Sequence, residues 1–278
     1  MSKAYKRVVR EALAEDIGQE DITTNRTVPA EARCRARLLA KQGGVLSGIE
    51  VFRSVFDCLD ADVSDWGSLA AGDRFEKGDE IATFEGKTRA VLTAERTAMN
   101  FIQHLSGVAT QASLFKAAIE GYNVKVCDTR KTTPMLRQLE KEAVIHGGGT
   151  NHRHTLFHGV VIKENHIAAA GGITNAVTKA WEGTHHLMKI EVEVTSLEQF
   201  DEAMEAGADA IMLDNMGFDD MREAVRRARG RRVVIEASGN VRLDTVRKFA
   251  ECGVDVISVG SLTHSAPAID MTLLIKNV

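Results

Sequence analysis

The sequence predicts an α/β fold built on a parallel sheet, on three observations. Six short apolar runs recur in the second half: VKVC before Asp128, VVI before Lys163, then IEVEV, AIMLD, VVIEAS and VISVG. A helix-length segment follows each run, and strands joined head to tail through helices lie parallel, because parallel neighbours need a crossover connection. The runs end on Asp128, Lys163, Glu193, Asp214, Ser238 and Gly260. In barrels of parallel strands the active site lies at the C-terminal strand ends. Charged groups at strand after strand therefore converge on one mouth, which points to an enzyme for a strongly anionic substrate. Only six strands are clear, so the barrel is expected to be incomplete or to hide one strand.

The bulk numbers exclude several classes. A chain of 278 residues suits two domains, or one barrel with an added module. Hydrophobic residues at 44% and charged residues at 27% are those of an ordinary globular protein. A net charge of -4 leaves no basic footprint for nucleic acid, and 5% aromatics leave few stacking platforms. Any anion site must be built locally. No run is long enough to span a bilayer, and MSKAYKRVVREALAED carries no apolar signal segment. Cys34, Cys58, Cys127 and Cys252 lie far apart without a CxxC pair, the pattern of reduced thiols in a cytoplasmic protein.

Residues 3–15 form an amphipathic helix with Val8, Val9, Ala12 and Leu13 on one side, followed by the polar, turn-rich IGQEDITTN. From Ala32 to Gly86 the pattern is mostly β, cut by glycines. A helix is expected from Val91 to His104, N-capped by Thr93, and broken by LSGVAT before a second helix towards Glu120. The domain boundary falls near Gly107. That gives an N-terminal domain of residues 1–107, a barrel of residues 108–265, and an apolar tail, 266–278, that packs back on the N-terminal domain.

Chemistry concentrates in a few segments. In DTRKTTP, Arg130 offers a planar fork for carboxylate or phosphate and Lys131 a point charge. GGGTNHRHTLFHGVVIKENH adds His152, Arg153 and Lys163, and its glycines let backbone approach a ligand or a neighbouring helix. Glu193 and Asp214 end adjacent strands; such a pair suits Mg²⁺, or forms ion pairs with Arg130 or Lys163. Glu191, two residues before Glu193, shares its side of the strand. Ser238, Gly239, Gly260, Ser261 and His264 lie in small turns after the last two strands, where barrels often bind a phosphate.

DTRKT, GGGTNHR and VIKENH in this order, with LAEDIGQEDITT, LTAERTAMNFIQHLSGVAT, EVEV, IMLDN and EASGN, resemble the quinolinate phosphoribosyltransferases over nearly the whole chain. The resemblance implies a mixed α/β N-terminal domain on an incomplete TIM-like α/β barrel. It also implies a homodimer in which the N-terminal domain of one subunit closes the site of the other. The implied reaction joins quinolinate to phosphoribosyl diphosphate with Mg²⁺, giving nicotinate mononucleotide, diphosphate and CO₂. Carried over by motif, Arg130, His152, Arg153 and Lys163 would hold the quinolinate carboxylates, with Arg96 of the partner subunit. Lys131 would face the diphosphate, Glu193 and Asp214 the metal and ribose, and Ser238, Gly239, Gly260 and His264 the 5-phosphate. The rival readings are a related transferase for another aromatic acid and a non-catalytic relative that binds nucleotide or metal. His154, His158 and Met135 depart from the family pattern. The two histidines are four residues apart and would share a face if the segment were helical.

Overall fold

The computed structural model describes residues 3–278 and divides into two compact units. The first comprises residues up to Ser113, Thr133–Gly148 and Ser265–Val278; the second comprises Leu114–Thr132 and Gly149–His264. The strands of the first half are β1 (Arg33–Ala40), β2 (Gly44–Val45), β3 (Ser64–Ser68), β4 (Arg74–Phe75) and β5 (Glu80–Lys87). Those that follow are β6 (Lys125–Cys127), β7 (Val160–Ile162), β8 (Ile190–Val194), β9 (Ala210–Asp214), β10 (Val234–Ser238), β11 (Val256–Ser258) and β12 (Met271–Asn277).

In the first unit a four-stranded sheet has the order β12-β1-β5-β3, and β2 pairs with β4. Strand β1 alternates, burying Cys34, Ala36, Leu38 and Ala40, the period of a half-buried strand. The tail is β12, antiparallel to β1 from Cys34↔Asn277 to Ala40↔Met271. The mostly-β stretch also contains a helix, Ile49–Cys58. Its Phe52, Val55 and Phe56 recur at helical spacing and are fully buried; Phe56 lies 4.8 Å from the Phe84 ring. IGQEDITTN contributes a short helix, Ile22–Thr27, capped by the Asp21 carboxylate, which accepts from the Thr24 N–H.

The expected break at LSGVAT is absent. One helix runs from Thr88 to Ala118, and Thr93, five residues inside it, donates its hydroxyl to Asp21 Oδ2 instead of capping. Gly107 serves packing: a Cβ there would lie 2.2 Å from Pro267 O, where the segment leading to β12 crosses the helix. Ile269 N–H donates to Gln103 O one turn away. Gly147, the C-cap of the helix Arg137–His146, meets the same long helix; its Cβ would lie 2.1 Å from Ala109 O.

The second unit is the incomplete barrel. Six strands lie in the order β6-β11-β10-β9-β8-β7, every neighbouring pair parallel. β6 and β7 are the two open edges, and a single parallel bridge, Cys127↔Thr150, extends the β6 side. After Thr132 the chain leaves this unit for the helix Arg137–His146 and returns at Gly149. No helix among the described residues is long and apolar enough to cross a membrane.

Gly107→Ala and Gly147→Ala should each cost about 1–3 kcal/mol through overpacking. Gly183→Ala, where nothing lies within 4 Å of the added Cβ, should be close to neutral. Denaturant unfolding of the three variants checks this.

Candidate active site

The sheet gathers its polar groups by alternation. Val161 and Lys163, Met212 and Asp214, and Glu236 and Ser238 are pairs two residues apart, the spacing that keeps side chains on one face. With Thr129, Arg130, Lys131, His152, Arg153, Glu193, Asn215, Gly239, Asn240 and Ser258 they line one cleft of about 510 Å³. That volume suits a small-molecule site. A larger cleft of about 780 Å³ in the first unit mixes Lys6, Arg10 and Arg53 with Asp57 and Asp60, and gathers none of the strand-end residues.

Parallel register sets the levels. Asp214 stands opposite Ser238, while Glu193 and Glu236 both stand opposite Met212. Lys163, the first residue past β7, forms an ion pair with Glu193. Arg153 Nη1 donates to Gly159 O at 2.7 Å. Burial, then the neighbouring Arg130 charge, lowers the Arg153 pKa, and Glu191 opposes both. Buried Asp128 ties the arms of the site together, its Oδ1 accepting from the His152 N–H at 2.9 Å. Thr263 donates its hydroxyl to Lys131 O at 2.7 Å, anchoring the backbone behind that exposed side chain.

The turn after β10 is held from the turn after β9. Asn215 N–H donates to Ser238 O, and Asn240 Nδ2 donates to Asn215 Oδ1 at 3.0 Å. Gly239 has φ +97, and a Cβ there would fall 2.3 Å from Asn215 Oδ1, so both conformation and space require glycine. Asn215 Nδ2 also donates to Asp214 Oδ2 at 2.9 Å.

Nine of the twelve residues expected from sequence line this cleft: Arg130, Lys131, His152, Arg153, Lys163, Glu193, Asp214, Ser238 and Gly239. Gly260 and His264 do not line it; Gly260 lies against Lys131 and His264, a Cβ there being 3.1 Å from Lys131 Cδ and 3.2 Å from His264 Nε2. Arg96 is exposed on the long helix and is not among the lining residues. The segment carrying His154 and His158 is a turn and not a helix, yet it brings the two rings to 5.8 Å between centroids; His158 Nδ1 contacts Thr155 Oγ1 at 2.7 Å.

Sequence reasoning missed Glu236, Asn215, Asn240 and Ser258. For Glu236 a signal existed: it is the one charge inside the apolar run VVIEAS. His152, Glu191 and Glu236 bring a ring nitrogen and two carboxylate oxygens within 4.8 Å of one another. Glu191 is 8% exposed and Glu236 4%. Burial first, and the adjacent Glu191 charge next, push the Glu236 carboxyl up to about 8.

An incomplete parallel barrel with cations, carboxylates and a glycine turn at one mouth defines a transferase-type site for anionic substrates. The comparisons make this specific. Residues 21–106 match the family description "Quinolinate phosphoribosyl transferase, N-terminal domain" and residues 108–274 its C-terminal counterpart. A Bacillus subtilis protein named "Probable nicotinate-nucleotide pyrophosphorylase (carboxylating)" is 40% identical over 268 residues, covering 96% of this chain and 92% of that one. "Quinolinate phosphoribosyltransferase (decarboxylating) 1b" of Nicotiana tabacum is 38% identical, covering 97% of this chain and 82% of its own. The crystal structure of NadC from Streptococcus pyogenes superposes with a TM-score of 0.93 at 40% identity, covering 98% of this chain and 96% of that one. The chain belongs to the quinolinate phosphoribosyltransferase family.

The raised Glu236 pKa has a consequence for stability. Between the ordinary carboxyl value of 4.5 and about 8, the folded state keeps a proton that the unfolded state has released. Stability therefore falls as pH rises through that window. Glu236→Gln cannot ionise, so its stability relative to the parent should rise between about pH 5 and pH 8, as read by denaturant unfolding at both.

Proposed function

We propose that this chain transfers the phosphoribosyl group of phosphoribosyl diphosphate to the ring nitrogen of quinolinate and releases the 2-carboxyl group as CO₂. The products are nicotinate mononucleotide and diphosphate. The observation that carries this reading is the charge inventory of one cleft. Arg130, Arg153 and Lys163 line it together with the carboxylates Glu193 and Asp214 and the turn formed by Ser238, Gly239 and Asn240.

A pyridine with adjacent carboxylates needs cations on one edge and room at its nitrogen. Arg130, Arg153 and Lys163 supply the cations; Lys163 releases Glu193 when a substrate carboxylate takes its place. Displacement of diphosphate builds positive charge on the ribose ring, and Glu193 and Asp214 stabilise that charge. Lys131 neutralises the departing diphosphate. The Ser238 hydroxyl and the Gly239 and Asn240 N–H groups meet the 5-phosphate, with Gly260 and His264 flanking. After the C–N bond forms, C2 loses CO₂; the adjacent pyridinium charge stabilises the C2 carbanion, which takes a proton from water, so orientation and charge placement suffice without a covalent nucleophile.

Glu193 and Asp214 are hard oxygen donors on adjacent strand ends, a donor set that fits Mg²⁺, which keeps one or two carboxylates and shares substrate phosphates. Bound there, the ion would supply further neutralisation of the diphosphate. The reading extends to a cytoplasmic homodimer in which Arg96 of the partner subunit completes carboxylate binding. The exposure of Arg96 and the four free cysteines support it.

Incubation with phosphoribosyl diphosphate, Mg²⁺ and either quinolinate or nicotinate tests the assignment. Mononucleotide and CO₂ should appear in equal amounts from quinolinate alone; turnover of a different acid in its place would overturn it. Lys131→Ala should lower kcat by about 10²–10³-fold, the scale of a lost charge stabiliser. Its Tm should stay within about 2 °C, as expected for an exposed side chain.

A further inference from the structure

His152 stands among the expected carboxylate ligands, yet its ring contacts give it a different task. A backbone N–H only donates, so the 2.7 Å contact from the Arg153 amide makes His152 Nδ1 an acceptor that carries no proton. The ring proton then sits on Nε2, which donates to Glu191 Oε2 at 3.1 Å and lies 3.6 Å from Glu236 Oε2. An imidazolium would place an N–H on Nδ1 directly against the Arg153 N–H, donor against donor. The main chain is fixed as well, through the His152 N–H on buried Asp128. Next along the chain, Arg153 spans from this anchored amide to Gly159 O and lines the cleft.

We propose that His152 is a neutral positioning residue: it couples the buried Glu191–Glu236 pair to the Arg153 amide and so sets the backbone from which the Arg153 guanidinium reaches substrate. It adds no positive charge to carboxylate recognition. The groups facing its ring and amide include Glu191, Glu236, Asp128 and Arg153. Among them the Glu191 charge acts on Arg153, raising its pKa against burial. Burial and the adjacent Glu191 charge raise the Glu236 carboxyl pKa, and a charge on His152 would act the other way. This inference rests on the phosphoribosyl-transfer reading, under which Arg130, Arg153 and Lys163 are the subunit's own cations for quinolinate.

Two measurements on the full chain test it. In protein labelled with ¹⁵N-histidine, with the His152 signals assigned by loss in His152→Asn, Nδ1 should be unprotonated and Nε2 protonated from about pH 6 to 8. The same should hold with phthalate bound, an ortho-dicarboxylate that lacks the reacting nitrogen. Doubly protonated His152 in either state overturns the proposal. In steady-state kinetics, His152→Ala should raise the quinolinate KM about tenfold through loss of orientation, with the KM for phosphoribosyl diphosphate within about twofold. His152→Asn, uncharged but with an acceptor near the Nδ1 position, should recover most of that loss. Failure of asparagine to rescue would mean that charge was what mattered, and would sink the idea. A parent protein that turns over no quinolinate would overturn the activity, while the spectrum would still report the tautomer by itself.

Discussion

The parallel direction of six strands is the constraint on which the site depends. All six C-terminal ends face the same way, so any polar residue that ends a strand must share its surroundings with the polar ends of the others. Alternation then selects which residues enter the cleft, two per strand on β9 and β10. The outcome is a mouth with opposite charges at close quarters. Lys163 is neutralised by Glu193, and Arg153 feels both Arg130 and Glu191. At Lys163 an anionic ligand entering here exchanges with an acid already present, so that cation is not left bare in a partly dry cleft.

Below the mouth the same sheet creates an opposite difficulty. Glu191 and Glu236 are buried side by side, and two carboxylates cannot both ionise cheaply in such a place. The strain raises the Glu236 carboxyl pKa, and the His152 ring meets Glu191 at 3.1 Å. On the reading of His152 as a positioning residue, the acids support the segment that carries Arg153.

Much of this was legible in the sequence because strand ends and motif residues coincide. Arg130, Lys163, Glu193 and Asp214 could be placed at one mouth by counting strands. What stayed hidden depends on approach distances that no periodicity encodes. Gly107 reads as a helix breaker, yet it lies inside a 31-residue helix because the Pro267 carbonyl passes over it. Asn215 and Asn240 look like ordinary loop residues until their amides are seen bracing the Gly239 turn. Glu236 was visible as a charge in an apolar run, but its meaning needed its neighbours on β8 and the His152 loop. Met135, with φ +67, shows why glycine suits that position, which the residue type alone did not reveal.

The pairing of β1 with β12 also orders events during synthesis. Strand β1 lies between β5 and β12, and β12 is encoded after every strand of the barrel. As the chain emerges from the ribosome, β1 and β5 can meet early, but the other edge of β1 stays bare until residues 271–277 are made. The barrel, whose strands all arrive before β12, can finish first. A nascent chain stalled before residue 271 would therefore present an unpaired edge at β1, the kind of surface on which chaperones and aggregation act.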